Sequence, residues 1–170
     1  MVRYPQVWMN VVATGIRVAA LGSALVLTFC FFTYFDTTPV PQGADGMYPK
    51  FQPGREVLVK TSVRLDKLTR GDVVIFAPYP AARLISRVAG LPGEEISLVE
   101  GKLHVNGSAV TDYKYNTVAD TGSSPTMTPA KVETGRVFLL NDNPAAKSPD
   151  SRTLGGIPAA SIAGVVLITF

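Results

Sequence analysis

Ala44-Asp45-Gly46-Met47-Tyr48-Pro49-Lys50-Phe51-Gln52-Pro53-Gly54-Arg55-Glu56-Val57-Leu58-Val59-Lys60 is the stretch on which the fold of this chain is read. Asp45-Gly46 spells a tight turn, Met47, Tyr48, Pro49 and Phe51 an apolar lip, and Gln52-Pro53-Gly54 a second turn. Glu56 to Lys60 alternates like a strand. A turn that presents one residue beside an apolar lip suits peptide chemistry. The residue presented is Gly46, which has no side chain. Met47, Tyr48 and Phe51 fit either a core or a lip that dips toward a bilayer surface.

Upstream, residues 1–17 hold Arg3 and Arg17 and no acid. Val18 to Phe35 has no charge and no proline. As a helix it would reach roughly 27 Å, close to a hydrocarbon thickness. Phe29, Phe31, Phe32, Tyr34 and Phe35 crowd its far end like an interfacial belt. Asp36 follows. The positive-inside rule then sets the N-terminus in the cytoplasm and residues 36–170 outside. The expected division is a cytoplasmic N-terminus (1–17), a transmembrane helix (18–35), a linker (36–43) and an extracytoplasmic domain (44–170), in a single-pass protein of the cell membrane. A cleaved signal peptide is the competing reading. The run's length, its aromatics and the lack of a clean small-X-small site argue against it.

Downstream, the chain breaks into short apolar runs between turns. Val73 to Phe76 and Leu84 to Ala89 read as buried strands. Glu95 to Val99 and Lys102 to Val105 flank Glu100-Gly101 as a hairpin, and Asn106-Gly107 makes another turn. Thr111 to Lys131 reads as a loop or weakly ordered insert; its Tyr113 and Tyr115 fit a solvated loop or a binding patch. Arg136 to Leu140 and Ile162 to Phe170 complete the strands, the last as a buried one. With Gly 15 and Pro 13 in 170 residues, turns are frequent. The expected fold is all-β: coiled antiparallel sheets behind one N-terminal transmembrane helix.

Composition excludes several functions. Apolar residues make up 46% and charged residues 17% of the chain, and net charge is +3. The basic residues are scattered with no aromatic–basic ladder, so no nucleic-acid partner is expected. Cys30, the single cysteine, lies in the apolar run, which rules out an intrachain disulfide and a thiolate metal site. One histidine, His104, cannot build a histidine metal site. No metal and no cofactor are expected.

Four blocks occur in a telling order. They are Gly46-Met47-Tyr48-Pro49-Lys50, Arg70-Gly71-Asp72-Val73-Val74-Ile75-Phe76, Ser86-Arg87-Val88-Ala89-Gly90-Leu91-Pro92-Gly93, and Asn141-Asp142-Asn143 with Ser148-Pro149-Asp150-Ser151-Arg152. Together they resemble the type I signal peptidases, membrane-bound serine proteases with a Ser–Lys dyad, over residues 16 to 170. The resemblance implies sheets of signal-peptidase type. It puts Gly46 at the nucleophile position of the family's Ser-Met-X-Pro-Thr motif and Ser86 at the general-base position. Glycine has no atom to attack with. Serine cannot take a proton near neutral pH. Ala44, near a position where relatives carry a hydroxyl, would leave oxyanion stabilisation to backbone N–H groups. By the same resemblance Arg87, Asp142, Ser148, Asp150 and Arg152 support the site, with Asp150 and Arg152 as an ion pair.

The implied protein is a signal-peptidase-like pseudoenzyme that grips exported polypeptides without cutting them. It is similar to the catalytically degenerate members that assist pilus assembly in Gram-positive bacteria. Its expected partners are membrane lipid, an exported or pilin polypeptide, and a sortase or an active signal peptidase. The peptide would lie against Ala44, Asp45, Gly46, Met47, Tyr48, Pro49, Leu84, Ile85 and Ser86, with glycine at 46 leaving room for its backbone. Three alternatives stand beside this: an active signal peptidase releasing leader peptides, a rewired catalyst using Ser86 with a nearby amine, and a purely structural membrane subunit.

Overall fold

A computed structural model describes residues 5–42, 45–80, 82–111 and 125–169. Ala44 and most of the 111–131 insert, including Tyr113 and Tyr115, lie outside these residues. The chain forms two units, Met1–Phe35 and Asp36–Phe170.

The first unit is one helix, α1 (Pro5–Tyr34). Proline at its first position costs no hydrogen bond, because that N–H has no helical partner. The helix begins well before Val18, since nothing between Gln6 and Arg17 breaks it. At about 45 Å it is longer than a hydrocarbon core. Its apolar side chains, Leu25 and Phe29 among them, are exposed all round. Gln6–Tyr34 is long and apolar enough to cross a membrane. Thr14, Ser23, Thr28 and Thr33 donate their hydroxyls to the carbonyls of Asn10, Ala20, Ala24 and Phe29 at 2.8–2.9 Å. These four hydroxyls are thereby satisfied within the helix, as a membrane-crossing segment would need.

The second unit is built from two sheets. The larger has seven strands: β1 (Phe35–Pro39), β2 (Glu56–Lys60), β3 (Val73–Tyr79), β4 (Ala82–Gly90), β9 (Arg136–Leu140), β10 (Ile157–Pro158) and β11 (Ile162–Thr169). Their order is β1-β2-β11-β3-β4-β9-β10. The smaller has the order β7-β6-β5-β8, from β5 (Glu95–Val99), β6 (Lys102–Val105), β7 (Ser108–Ala109) and β8 (Met127–Lys131). Register shifts interrupt β4 against β9 and β11 against both its neighbours. Such bulges bend and coil the strands. A short helix, α2 (Ser151–Leu154), follows β9 and is capped by the Asp150 carboxylate. The β5–β6 hairpin keeps the expected register, Val99 opposite Lys102. Glu100 and Gly101 both take positive φ, 49° and 74°, as a two-residue hairpin turn requires.

Three expectations change. The connector after Tyr34 begins with an edge strand, β1, that contains Phe35. The insert ends in a strand, because Met127 to Lys131 pairs with β5. The last strand is buried only at its start: Ile162 and Gly164 are covered, whereas Leu167, Ile168 and Thr169 are exposed.

Candidate active-site region

The turn at Asp45-Gly46 is a 3₁₀ turn, Asp45–Met47, that buries Gly46 and Met47. Met47 and Phe51 are core. They pack with Val40, Val57, Val59, Val73, Ile75 and Ile85, which settles the choice between lip and core for these two. Tyr48 is exposed. Burying a Met and a Phe anchors the loop with about 1.5–3 kcal/mol each. Three hydrogen bonds then fix the turn against the chain that leaves β9. The Asn143 N–H donates to the Gly46 carbonyl at 2.8 Å. The Asp45 carboxylate accepts from the N–H groups of Lys147 and Ser148 at 3.1 and 3.0 Å. Burial alone would raise the Asp45 pKa. The hydrogen bonds from Lys147 and Ser148 outweigh it and hold the carboxyl below its ordinary value of 3.8.

Ser86 lies on β4 and is fully buried. Its hydroxyl meets Asn141 Oδ1 at 2.6 Å. The Asn141 amide nitrogen donates to the Ser148 carbonyl at 2.8 Å and to Ser148 Oγ at 3.3 Å. A carbonyl oxygen only accepts. The amide must therefore turn its NH₂ to Ser148 and its oxygen to Ser86, and Ser86 must be the donor. The Ser86 proton goes to an amide oxygen, which is not a base. Among the described residues no lysine hydrogen-bonds Ser86. Lys50 and Lys60 are exposed, and Lys50 stands over the Phe51 ring.

Around this neutral chain sits a charged frame. Arg87 and Asp142, both buried, pair through two N–H···O contacts, Nε to Oδ1 at 2.7 Å and Nη2 to Oδ2. Arg87 also donates to the Gly71 carbonyl at 2.8 Å, and so locks the Arg70-Gly71-Asp72 turn. Asp150 and Arg152 pair at 2.9 Å, and Asp150 Oδ2 accepts the Asn141 N–H at 3.0 Å. All five expected supporting residues thus converge on the chain segment 141–152 or on the strand beside it.

Of the expected peptide contacts, Tyr48 and Pro49 are exposed, Asp45 and Leu84 half-buried, and Gly46, Met47, Ile85 and Ser86 buried. Strand β4 pairs with β3 from Ala82 onward but with β9 only from Arg87 onward. The expectation that Gly46 leaves open room is not met. A Cβ built on Gly46 would stand 2.4 Å from Asn141 Cγ and Oδ1, so the space already holds the Asn141 amide. Asn141 is the residue missed from the sequence. It stood there only as the first residue of the Asn141-Asp142-Asn143 block.

Comparison with known proteins agrees with this architecture. Residues 15–170 match the family described as signal peptidase, peptidase S26. Signal peptidase I V of Bacillus subtilis (strain 168) is 37% identical over 131 residues, 71% of this chain and 77% of that protein. Signal peptidase I T of the same organism is 31% identical over 165 residues, 92% of this chain and 82% of that protein. A crystal structure of a signal peptidase I from Enterococcus faecalis V583 superposes with a TM-score of 0.53 at 25% identity, covering 62% of this chain and all of the other.

Proposed function

We propose that this chain, which belongs to the signal peptidase family, peptidase S26, is a membrane-anchored protein that binds exported polypeptides without hydrolysing them. The observation that carries the reading is the partner of Ser86. A dyad needs a hydroxyl next to an amine that takes its proton. Here position 46 has no side chain, and the Ser86 hydroxyl donates its hydrogen bond to the amide oxygen of Asn141. The carboxylates nearby are committed to Arg87, Arg152 and backbone N–H groups, so among the described residues no base replaces the amine at Ser86.

Binding would use the family's substrate class, an extended exported polypeptide. Its backbone would add to the edge of β4 over residues 82–86, where β9 has not yet joined the sheet. Strand addition draws its affinity from main-chain hydrogen bonds. Tyr48, Pro49 and Leu84, with Ala44 and Asp45, would flank it. Pilins are the exported polypeptides we favour, with a sortase or an active signal peptidase as a neighbour in the same membrane. Residues 1–17 would lie on the cytoplasmic side, the part of α1 from Val18 onward would span the bilayer and residues 44–170 would work outside, in keeping with Arg3 and Arg17 before the apolar run.

The experiment is a labelled Ala-X-Ala leader peptide titrated into the full chain in lipid vesicles. Saturable binding that Tyr48→Ala weakens about fivefold, an ordinary interface effect, is the expected result. An active signal peptidase would release the leader at a measurable rate. A purely structural subunit would show no saturable binding.

A further inference from the structure

We infer that Asn141 fills the nucleophile's space, so that positions 46 and 141 exchange bulk: a side chain fits at 46 only when 141 gives its own up. The inference rests on the non-hydrolytic reading above and gives that reading a steric cause. A Cβ on Gly46 would lie 2.4 Å from Asn141 Cγ, 2.4 Å from Oδ1 and 2.7 Å from Nδ2. Carbon atoms in contact normally sit about 3.5–4.0 Å apart. One partner would have to move by about an ångström.

Neither partner can do so freely. Asn141 is fully buried. Its side chain holds Ser86 on one side and Ser148 on the other. Its N–H is held by Asp150. Swinging the amide away would leave buried polar groups on β4 and on the 148 segment without partners. Gly46 is equally fixed, because Asn143 holds its carbonyl and Asp45 beside it is tied to Lys147 and Ser148. The two positions therefore face each other across bonds anchored in the same segment. Asn141 acts as a positioning residue: it bridges β4 to the 148 segment and supports the turn that carries Tyr48. A serine returned to position 46 would meet the amide before it met any substrate.

The test is a double-mutant cycle on the full chain in detergent micelles, read as the thermal midpoint by circular dichroism. Gly46→Ala alone should lower the midpoint by about 5 °C or more. On an Asn141→Gly background the same change should cost under about 2 °C. Equal shifts on both backgrounds would overturn the inference. Asn141→Ser supplies a second background if Asn141→Gly fails to fold. A cleavage arm separates the two ideas. Gly46→Ser with Ser86→Lys should stay inert toward the leader peptide, and adding Asn141→Gly should release activity. If the double variant cleaves as fast as the triple, the role of Asn141 is refuted. If neither cleaves, the unfolding cycle decides. Cleavage by the unaltered chain would end the non-hydrolytic reading while leaving the steric exchange to be judged by the cycle alone.

Discussion

Ser86 and Arg87 are neighbours on β4, and Asn141 and Asp142 are neighbours at the end of β9. The two cross-strand pairs nonetheless do different work. Arg87 and Asp142 form a buried ion pair that clamps β4 to the segment after β9 and reaches on to Gly71. Ser86 and Asn141 form a neutral chain of hydrogen bonds that ends on Ser148. Adjacent residues of a strand point to opposite faces, so one short stretch can carry a charged frame and a neutral floor. The frame is a matter of fold. The floor places a buried Ser86 hydroxyl on the Asn141 amide oxygen, beside a position, 46, that has no side chain.

The frame should give the largest effect. Asp142→Ala strands a buried guanidinium, and breaking such a pair costs about 3–5 kcal/mol; denaturant unfolding of the full chain in micelles reads this directly. Gly46→Ala comes next, at about 2–3 kcal/mol, the usual range for a buried overpacking. If it proved as mild as an exposed glycine substitution, the contrast between a tight floor and an open cleft would fail. Ser86→Ala is milder, at about 1–2 kcal/mol, because it removes one buried hydroxyl and leaves Asn141 Oδ1 without its donor. It should also leave leader-peptide affinity within about twofold, since strand addition uses main-chain groups.

The smallest effect is acid-dependent and belongs to Asp45. Its carboxyl is held below 3.8 in the folded chain. A depressed carboxyl stabilises the fold above the unfolded value and loses that contribution as pH falls through the folded one. The full chain should therefore lose stability below about pH 4, and Asp45→Asn should flatten that part of the profile. An unchanged profile in the variant would show that the Asp45 carboxylate does not hold the turn.

Much of the fold was legible in local signals. Glu100-Gly101 and Asn106-Gly107 announced their turns, and β2, β5, β6 and β9 fall at the expected residues. What stayed hidden depends on distant partners. β1 and β8 are short strands rich in Thr and Pro, recognisable only from the strands they join. The exposure of Leu167 and Ile168 at the end of β11 is likewise a tertiary fact. Within the site, the missing side chain at 46 and the hydroxyl at 86 were readable as chemistry. The part of Asn141 was not. Positions 46 and 141 lie far apart in sequence, and each substitution taken alone looks like a simple departure from a motif. Only the short distance between them turns two departures into one exchange of volume.

The central claim is that the floor at 46, 86 and 141 cannot break a peptide bond. Mass spectrometry of the full chain incubated in lipid with an Ala-X-Ala leader peptide tests it most directly. The account predicts intact peptide throughout and no acyl group on the protein. Leader fragments that disappear with Ser86→Ala, or a protein mass raised by an acyl adduct, would contradict it.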